Sequence, residues 1–281
     1  QAEDGIRDRS PSRGLGDVYK RQIQEAIAAQ EDVIAAARHF KRSLMQRLFT
    51  YGPGREPAPT KETEIGEIPA HWEVVELGKL TTDGIKNGAL VKRDQFGEGV
   101  PFLNVADMYR SVEANLRFSE RVTVDGSDIS KYALEPGDLV FVRSSLKEEG
   151  VGQCCVVERL DETSIYDCHL MRVRVNRSQV LPRFLAYFFL TPLGKNSLII
   201  RSKKTTMTTI NQNGLAGALV PVPDFAAQKA IAESVQATDA KIAAEEDRKT
   251  ALEALFKSML HQLMTGQIRL LTDEGLPLLK N

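Results

Sequence analysis

From Ile23 onward, apolar residues recur at alternating steps of four and three, so that Ile23, Ile27, Ile34, Ala37, Leu44 and Leu48 share one helical face with polar Gln30 and Lys41. The row returns at a constant offset of 215, where Glu245 lies over Gln30. Its second copy runs through Ile231, Val235, Thr238, Ile242, Glu245, Lys249, Leu252, Phe256, Met259 and Leu263. The letters repeat as well, since "FKRSLMQRLFTYG" (Phe40 to Gly52) overlies "LFKSMLHQLMTGQ" (Leu255 to Gln267) with Ser43 on Ser258, Leu48 on Leu263 and Thr50 on Thr265. So narrow a stripe on so long a helix is a coiled-coil seam, which one helix cannot hide from water alone. The two seams predict an antiparallel pair, because the intervening chain can return to its starting end. The alternative is two amphipathic helices, each packed on its own side of a central domain.

Between the helices the period changes. "DLVFVR" (Asp138 to Arg143), "VGQCCVV" (Val151 to Val157) and "HLMRVRV" (His169 to Val175) are β-branched or alternating runs that read as strands, and "LPRFLAYFFL" (Leu181 to Leu190) reads as a short buried helix. The predicted fold class is therefore α+β, one mixed domain between two long helices. Its parts are a polar leader without periodicity (1–21), expected to be disordered or non-native, a first helix (22–50), and a linker (51–62) opened by the breaker "YGPGREPAPT". The mixed domain (63–223), a second helix (224–266) and a C-terminal tail (267–281) follow. Asp224 in "PVPDFAAQK" suits the N-cap of the second helix better than any nuclease role.

A chain of 281 residues with 42% hydrophobic content can bury a sizeable core. No stretch approaches the roughly 18 apolar residues of a membrane span, and the N-terminus lacks the apolar centre of a secretory signal, so a cytoplasmic protein without a membrane partner is expected. Three cysteines, Cys154, Cys155 and Cys168, fit a reducing compartment. His39, His71, His169 and His261 are scattered without zinc-ligand spacing, and no metal site is expected. The triplet Asp167, Cys168, His169 holds the ingredients of a cysteine nucleophile. Strand neighbours point to opposite faces, however, so Cys168 and His169 are not expected to meet. "GLGDVY" and "GVGQCC" lack the third glycine and the strand-to-helix setting of a dinucleotide site.

The net charge of −1 hides an asymmetry: residues 163–223 hold eight Lys or Arg against one acid, whereas residues 60–162 hold twelve bases and twenty acids. Phosphate binding needs a positive surface, and groove reading needs Arg, Lys, Asn, Gln and hydroxyl side chains on loops. "RSKKTTMTTINQN" offers Arg201, Lys203, Lys204, Thr205, Thr206, Thr208, Thr209 and Asn211, and is free of acids. "RSSLKEEG" offers Arg143, Ser144, Ser145 and Lys147, beside the repelling Glu148 and Glu149. "DGIKNGALVKR" offers Lys86, Asn87, Lys92 and Arg93 around glycines that permit close backbone approach. Asn104 fits a turn cap better than a base contact. Trp72, Phe184, Tyr187, Phe188 and Phe189 read as core.

The stretches "TEIGEIPAHWEVVELGKL" (Thr63 to Leu80), "GDLVFVRSS" (Gly137 to Ser145) and "VPVPDFAAQKAIAESV" (Val220 to Val235), followed by a long helix ending "LMTGQ", resemble in their order the specificity subunit of type I restriction-modification systems. Such subunits alternate two target-recognition domains with two long helices. This chain has both helices but one recognition domain, so it resembles a C-terminal half: a gene fragment, or a half-subunit that pairs with its own copy. The resemblance implies a non-catalytic protein that reads one half of an interrupted site in double-stranded DNA. It also implies helices that act as spacer and docking surface for methyltransferase subunits, with a motor-nuclease subunit joining for cleavage. S-adenosylmethionine belongs to the methyltransferase partner, and none is expected in this chain, which lacks an Asn-Pro-Pro-Tyr type tetrapeptide. The alternative is a coiled-coil adaptor whose central domain binds protein. The target bases are not legible.

Overall fold

The computed structural model describes residues 11–117, 119–147 and 150–265. Two long helices, α1 (Pro11–Tyr51) and α6 (Phe225–Met264), enclose a mixed segment in sequence. α1 begins at Pro11 rather than at Gln22, so part of the expected leader is helical; the rest of it, and the C-terminal tail, lie outside the described residues. α1 stops at Tyr51, the first residue of "YGPGREPAPT". Gly52 adopts φ +82° and its N–H closes on the Leu48 carbonyl at 3.0 Å, a left-handed helix stop that a Cβ would disfavour. α6 starts on Asp224, whose Oδ1 accepts the Ala227 N–H at 2.7 Å, the expected N-cap.

The chain divides into two compact units. One holds α1 up to Lys41 and α6 from Ala237, and the other spans Arg42–Gln236. In the first unit the helices run antiparallel: advancing from Glu31 to Lys41 on α1 takes the ion-pair partner back from Lys249 to Asp239. The seam predicted from the sequence faces inward here. Gln30, Ile34 and Ile242 are buried, and Ile23, Ile27, Ala37, Leu252, Phe256 and Met259 are partly covered while their neighbours are mostly exposed. The side chain of Leu263 lies outside the described residues. Four seam positions have a different job from the one predicted. Leu48, Ile231 and Val235 belong to the core of the second unit with Leu44 packed against it, because there the helices meet sheet and aromatic side chains.

The second unit is built on a four-stranded antiparallel sheet in the order Thr81–Asn87, Leu170–Val175, Leu139–Val142, Cys154–Val156. Three of its strands are covered on both faces, whereas the edge strand Thr81–Asn87 alternates between partly covered and exposed residues. Leu139, Phe141, Met171 and Val173 point into one cluster, with Trp72, Phe184, Tyr187, Phe188 and Phe189, while Val140, Val142 and Leu170 point into another. Burial of both faces explains why "LVFV" is a continuous apolar run rather than an alternating one. Cys154 and Cys155 stand on opposite faces of this sheet, both buried as free thiols. Burial pushes Cys155 up to about 12, so neither is a reactive thiolate at neutral pH. Phe96–Leu103 pairs with Glu120–Val122 and, in parallel, with Ile165–Tyr166. Helices α2 (Gly126–Tyr132), α3 (Pro182–Phe189), α4 (Pro192–Ile199) and α5 (Gln212–Ala216) fill the connections. No helix among the described residues is long and apolar enough to cross a membrane.

Candidate nucleic-acid interface

The basic segment is largely neutralised by the fold. Of its eight cations, Arg172 binds Asp83, Arg174 binds Asp138 and Glu135, Arg183 binds Glu158 and Glu113, and Arg201 binds Glu64. Every one of these carboxylates comes from the acidic stretch 60–162, so the two halves of the compositional asymmetry cancel in space. Lys195 turns inward to the Val151 carbonyl, and burial brings its ammonium down to about 8. A run of positive sequence is thus a poor guide to positive surface when its partners lie 25 to 137 residues away.

What the fold does bring together are the loops. Ser144–Ser145 pairs antiparallel with Thr208–Thr209, which pairs in turn with Lys203–Lys204, so two separately predicted stretches form one small three-stranded sheet. The Ser144 and Thr209 hydroxyls lie 3.0 Å apart across it. The third stretch is tied to the same place: the Gln212 amide donates to the Ile85 carbonyl at 2.7 Å, and the Cys168 N–H donates to the Ala89 carbonyl at 2.9 Å. The Arg143 N–H, finally, reaches the His169 carbonyl at 2.9 Å. Ser144, Ser145, Leu146, Lys147 and Met207 line an open cleft of about 580 Å³ with Val105 and Tyr109.

Individual side chains divide sharply. Lys92, Arg93, Lys147 and Lys203 are exposed, with no carboxylate partner among the described residues; Glu148 and Glu149 lie outside those residues. Lys204, Thr205 and Thr206 are exposed too, although the Thr205 hydroxyl is turned onto the Met207 carbonyl. Others are better explained as structure. Arg201 is held by Glu64 at 2.8 Å and the Ser197 carbonyl at 3.1 Å. Thr208 is buried, Asn211 caps α5 by accepting the Gly214 N–H at 2.7 Å, and Lys86 is paired with Asp83 at 2.9 Å. Asn87 is partly covered, its Oδ1 enclosed without a protein donor. Asn104 caps a short helical turn at Val105–Tyr109, as its sequence suggested. Gly88 makes a close approach, but to the protein itself: a Cβ there would fall 2.2 Å from the Tyr166 carbonyl oxygen.

The triplet 167–169 departs from expectation. Asp167 closes an Asx-turn by accepting the His169 N–H at 2.6 Å, and the strand begins only at Leu170. The side chains therefore meet, with His169 Nδ1 2.7 Å from Asp167 Oδ1 and 3.5 Å from Cys168 Sγ. Their potential ligand atoms lie within 4.8 Å of one another. Burial and the Asp167 charge raise the Cys168 thiol, which argues against a nucleophilic thiolate. His169 remains exposed between the loops carrying Arg143 and Ala89, a position that the strand reading concealed. The aspartate two residues before it was the available signal.

Comparison with known proteins identifies the family. Residues 69–254 match the family model described as type I restriction modification DNA specificity domain. The chain is 29% identical over 234 residues to the type I restriction enzyme MjaVIII specificity subunit of Methanocaldococcus jannaschii, covering 82% of this chain and 53% of that protein. It is 29% identical over 136 residues to the EcoKI specificity subunit of Escherichia coli strain K12, covering 47% of this chain and 28% of that protein. In fold it is similar to the type I restriction-modification S subunit from M. genitalium (TM-score 0.59, 11% identity, 91% of this chain and 61% of that one). It is also similar to the HsdS subunit from Thermoanaerobacter tengcongensis (TM-score 0.51, 16% identity, 91% and 57%). The chain spans about half the length of the curated relatives it matches. With two thirds of its residues inside the family model and the fold of S subunits around them, the chain belongs to the type I restriction-modification DNA specificity family.

Proposed function

We propose that this chain reads one half of an interrupted double-stranded DNA target through the loop surface of residues 83–93, 143–147 and 203–211. The long helices serve as the surface on which methyltransferase subunits dock. The observation that carries the reading is the convergence of those three loops: they are remote in sequence, yet hydrogen bonds at Gln212–Ile85, Cys168–Ala89, Arg143–His169 and Ser144–Thr209 gather their roots. Such an arrangement suits groove recognition, in which cations position the phosphates while hydroxyls and amides meet base edges. With much of its positive charge internally paired, the chain has little general attraction for DNA. Affinity is then expected to depend on assembly with cationic partners.

In this reading the chain is not an enzyme. Adenine methylation and S-adenosylmethionine reside in the methyltransferase subunits, and cleavage requires the motor-nuclease subunit. A second copy of the chain would supply the other half of the target and make it palindromic. The test is to combine the purified chain with type I methyltransferase subunits and measure duplex binding. A ternary complex that prefers one short sequence supports the reading. Assembly without any DNA preference would favour the protein-binding adaptor, and a mass measurement on the same sample reports whether two copies are present.

A further inference from the structure

Among the described residues, the two most exposed large apolar side chains are Leu90 and Leu146, at 80% and 79%. Both stand on loops of the surface described above. The register around Leu146 is informative: Ser145 pairs with Thr208, and the next residues outward, Leu146 and Met207, stand at the open end of the small sheet and line one cleft. Both line the 580 Å³ cleft, whose wall continues over Tyr109, itself half exposed. An apolar pair at the tip of a polar ribbon gains nothing from folding, and patches of this kind mark surfaces that lose water on docking. The rungs behind the pair, Ser145–Thr208–Lys204 and Ser144–Thr209–Lys203, are hydroxyls and cations, with exposed Lys147 following Leu146. The surroundings of the apolar tip therefore suit a polyanion with an apolar feature inside a polar groove. Duplex DNA offers one such feature: the major groove admits a β-ribbon, and of the four bases only thymine presents a methyl group there, beside the O4 acceptor.

We propose that Leu146 and Met207 detect the 5-methyl group of a thymine in the major groove of the target, an inference that rests on the DNA-recognition reading above. The experiment uses the full chain assembled with its methyltransferase subunits and the duplex sequence it selects. Each thymine is replaced in turn by deoxyuridine, which removes the methyl and leaves every hydrogen-bonding atom in place. At one or two positions affinity should fall about four-fold per methyl, the ratio expected for one buried carbon. Leu146→Ala and Met207→Ala should lose a similar factor on the thymine duplex and no longer distinguish it from the deoxyuridine duplex. Both side chains are exposed, so the variants should keep the parent melting temperature. Tolerance of deoxyuridine at every position, a selected half-site without thymine, or variants that still discriminate would each overturn the proposal and leave sequence recognition standing. Reduced methyltransferase assembly in the variants, with discrimination intact, would assign the pair to a protein interface instead. A complex with no sequence preference at all would remove the underlying reading, and this one with it.

Discussion

The Gln30 side-chain amide donates both to the carboxylate of Glu245, at 2.7 Å, and to its backbone carbonyl, at 3.2 Å, and Glu245 is the residue that the repeat places over Gln30. In an antiparallel pair of equivalent helices, a residue meets its own counterpart only near the pseudo-twofold axis. The one polar rung shared by both seams therefore marks the point about which the two copies are related. A polar group at a single seam position fixes register at a cost in stability. Replacing both partners, Gln30→Leu with Glu245→Leu, should raise stability by about 1 kcal/mol, because two apolar groups replace a partly buried polar pair. Register should loosen. Cross-linking between Glu31→Cys and Lys249→Cys, high in the parent background, should drop in the double variant.

Asp83 and Arg172 form an ion pair within the central sheet, and Arg172 is only 4% exposed. Asp83→Asn would leave that guanidinium buried with little beyond the Ala133 carbonyl, and should cost about 3 kcal/mol in a urea melt. Burial opposes ionisation of Asp83, but the Lys86 hydrogen bond and the charges of Arg172, Lys86 and Arg174 outweigh it and hold the carboxyl below its ordinary value of 3.8. A depressed carboxylate contributes stability that is present above 3.8 and lost as pH falls through the folded-state value. The gap between parent and variant should therefore narrow in acid.

Arg201 lies in the most basic loop, yet its pairing with Glu64 and Ser197 makes it a structural residue. Arg201→Ala should lower the melting temperature and leave the salt dependence of DNA binding unchanged. Lys147→Ala with Lys203→Ala should do the reverse, reducing the slope of log affinity against log salt by about 0.9 for each phosphate the variant no longer neutralises.

Gly88 packs against the Tyr166 and Asp167 backbone with no room for a side chain. Gly88→Ala should push the 83–93 loop away from the strand Ile165–Tyr166 and cost about 2 kcal/mol, because the obstacle is backbone that cannot rotate aside. Amide exchange at Ala89 and Cys168, whose hydrogen bonds cross this junction, should accelerate.

The long-range periodic signals were the legible ones. The seam from Ile23 to Ile34 faces inward as its spacing demanded, and Asp224 and Gly52 bound the helices where capping chemistry placed them. Where Leu48, Ile231 and Val235 leave the coil for the domain core, the letters are the same and only the neighbour changes, which periodicity does not encode. The candidate site was half legible for a related reason. Lys147 and Lys203 stand exposed as expected, but the capture of Arg201 by Glu64 and of Arg172 by Asp83 depends on pairings 137 and 89 residues apart. The exposed position of His169 was not legible because an Asx-turn replaced the strand read there.

In the proposed function, gathered loops with few free charges confer sequence recognition. Its most direct measure is the ratio of affinities for a duplex selected from a random pool and for the unselected pool, both taken at one salt concentration with the methyltransferase-assembled chain. A ratio of about a thousand or more, collapsing when the 143–147 and 203–209 loops are replaced by glycine-serine turns, is the predicted result. A ratio near one would contradict the account, as would a high ratio that survives replacement of those loops.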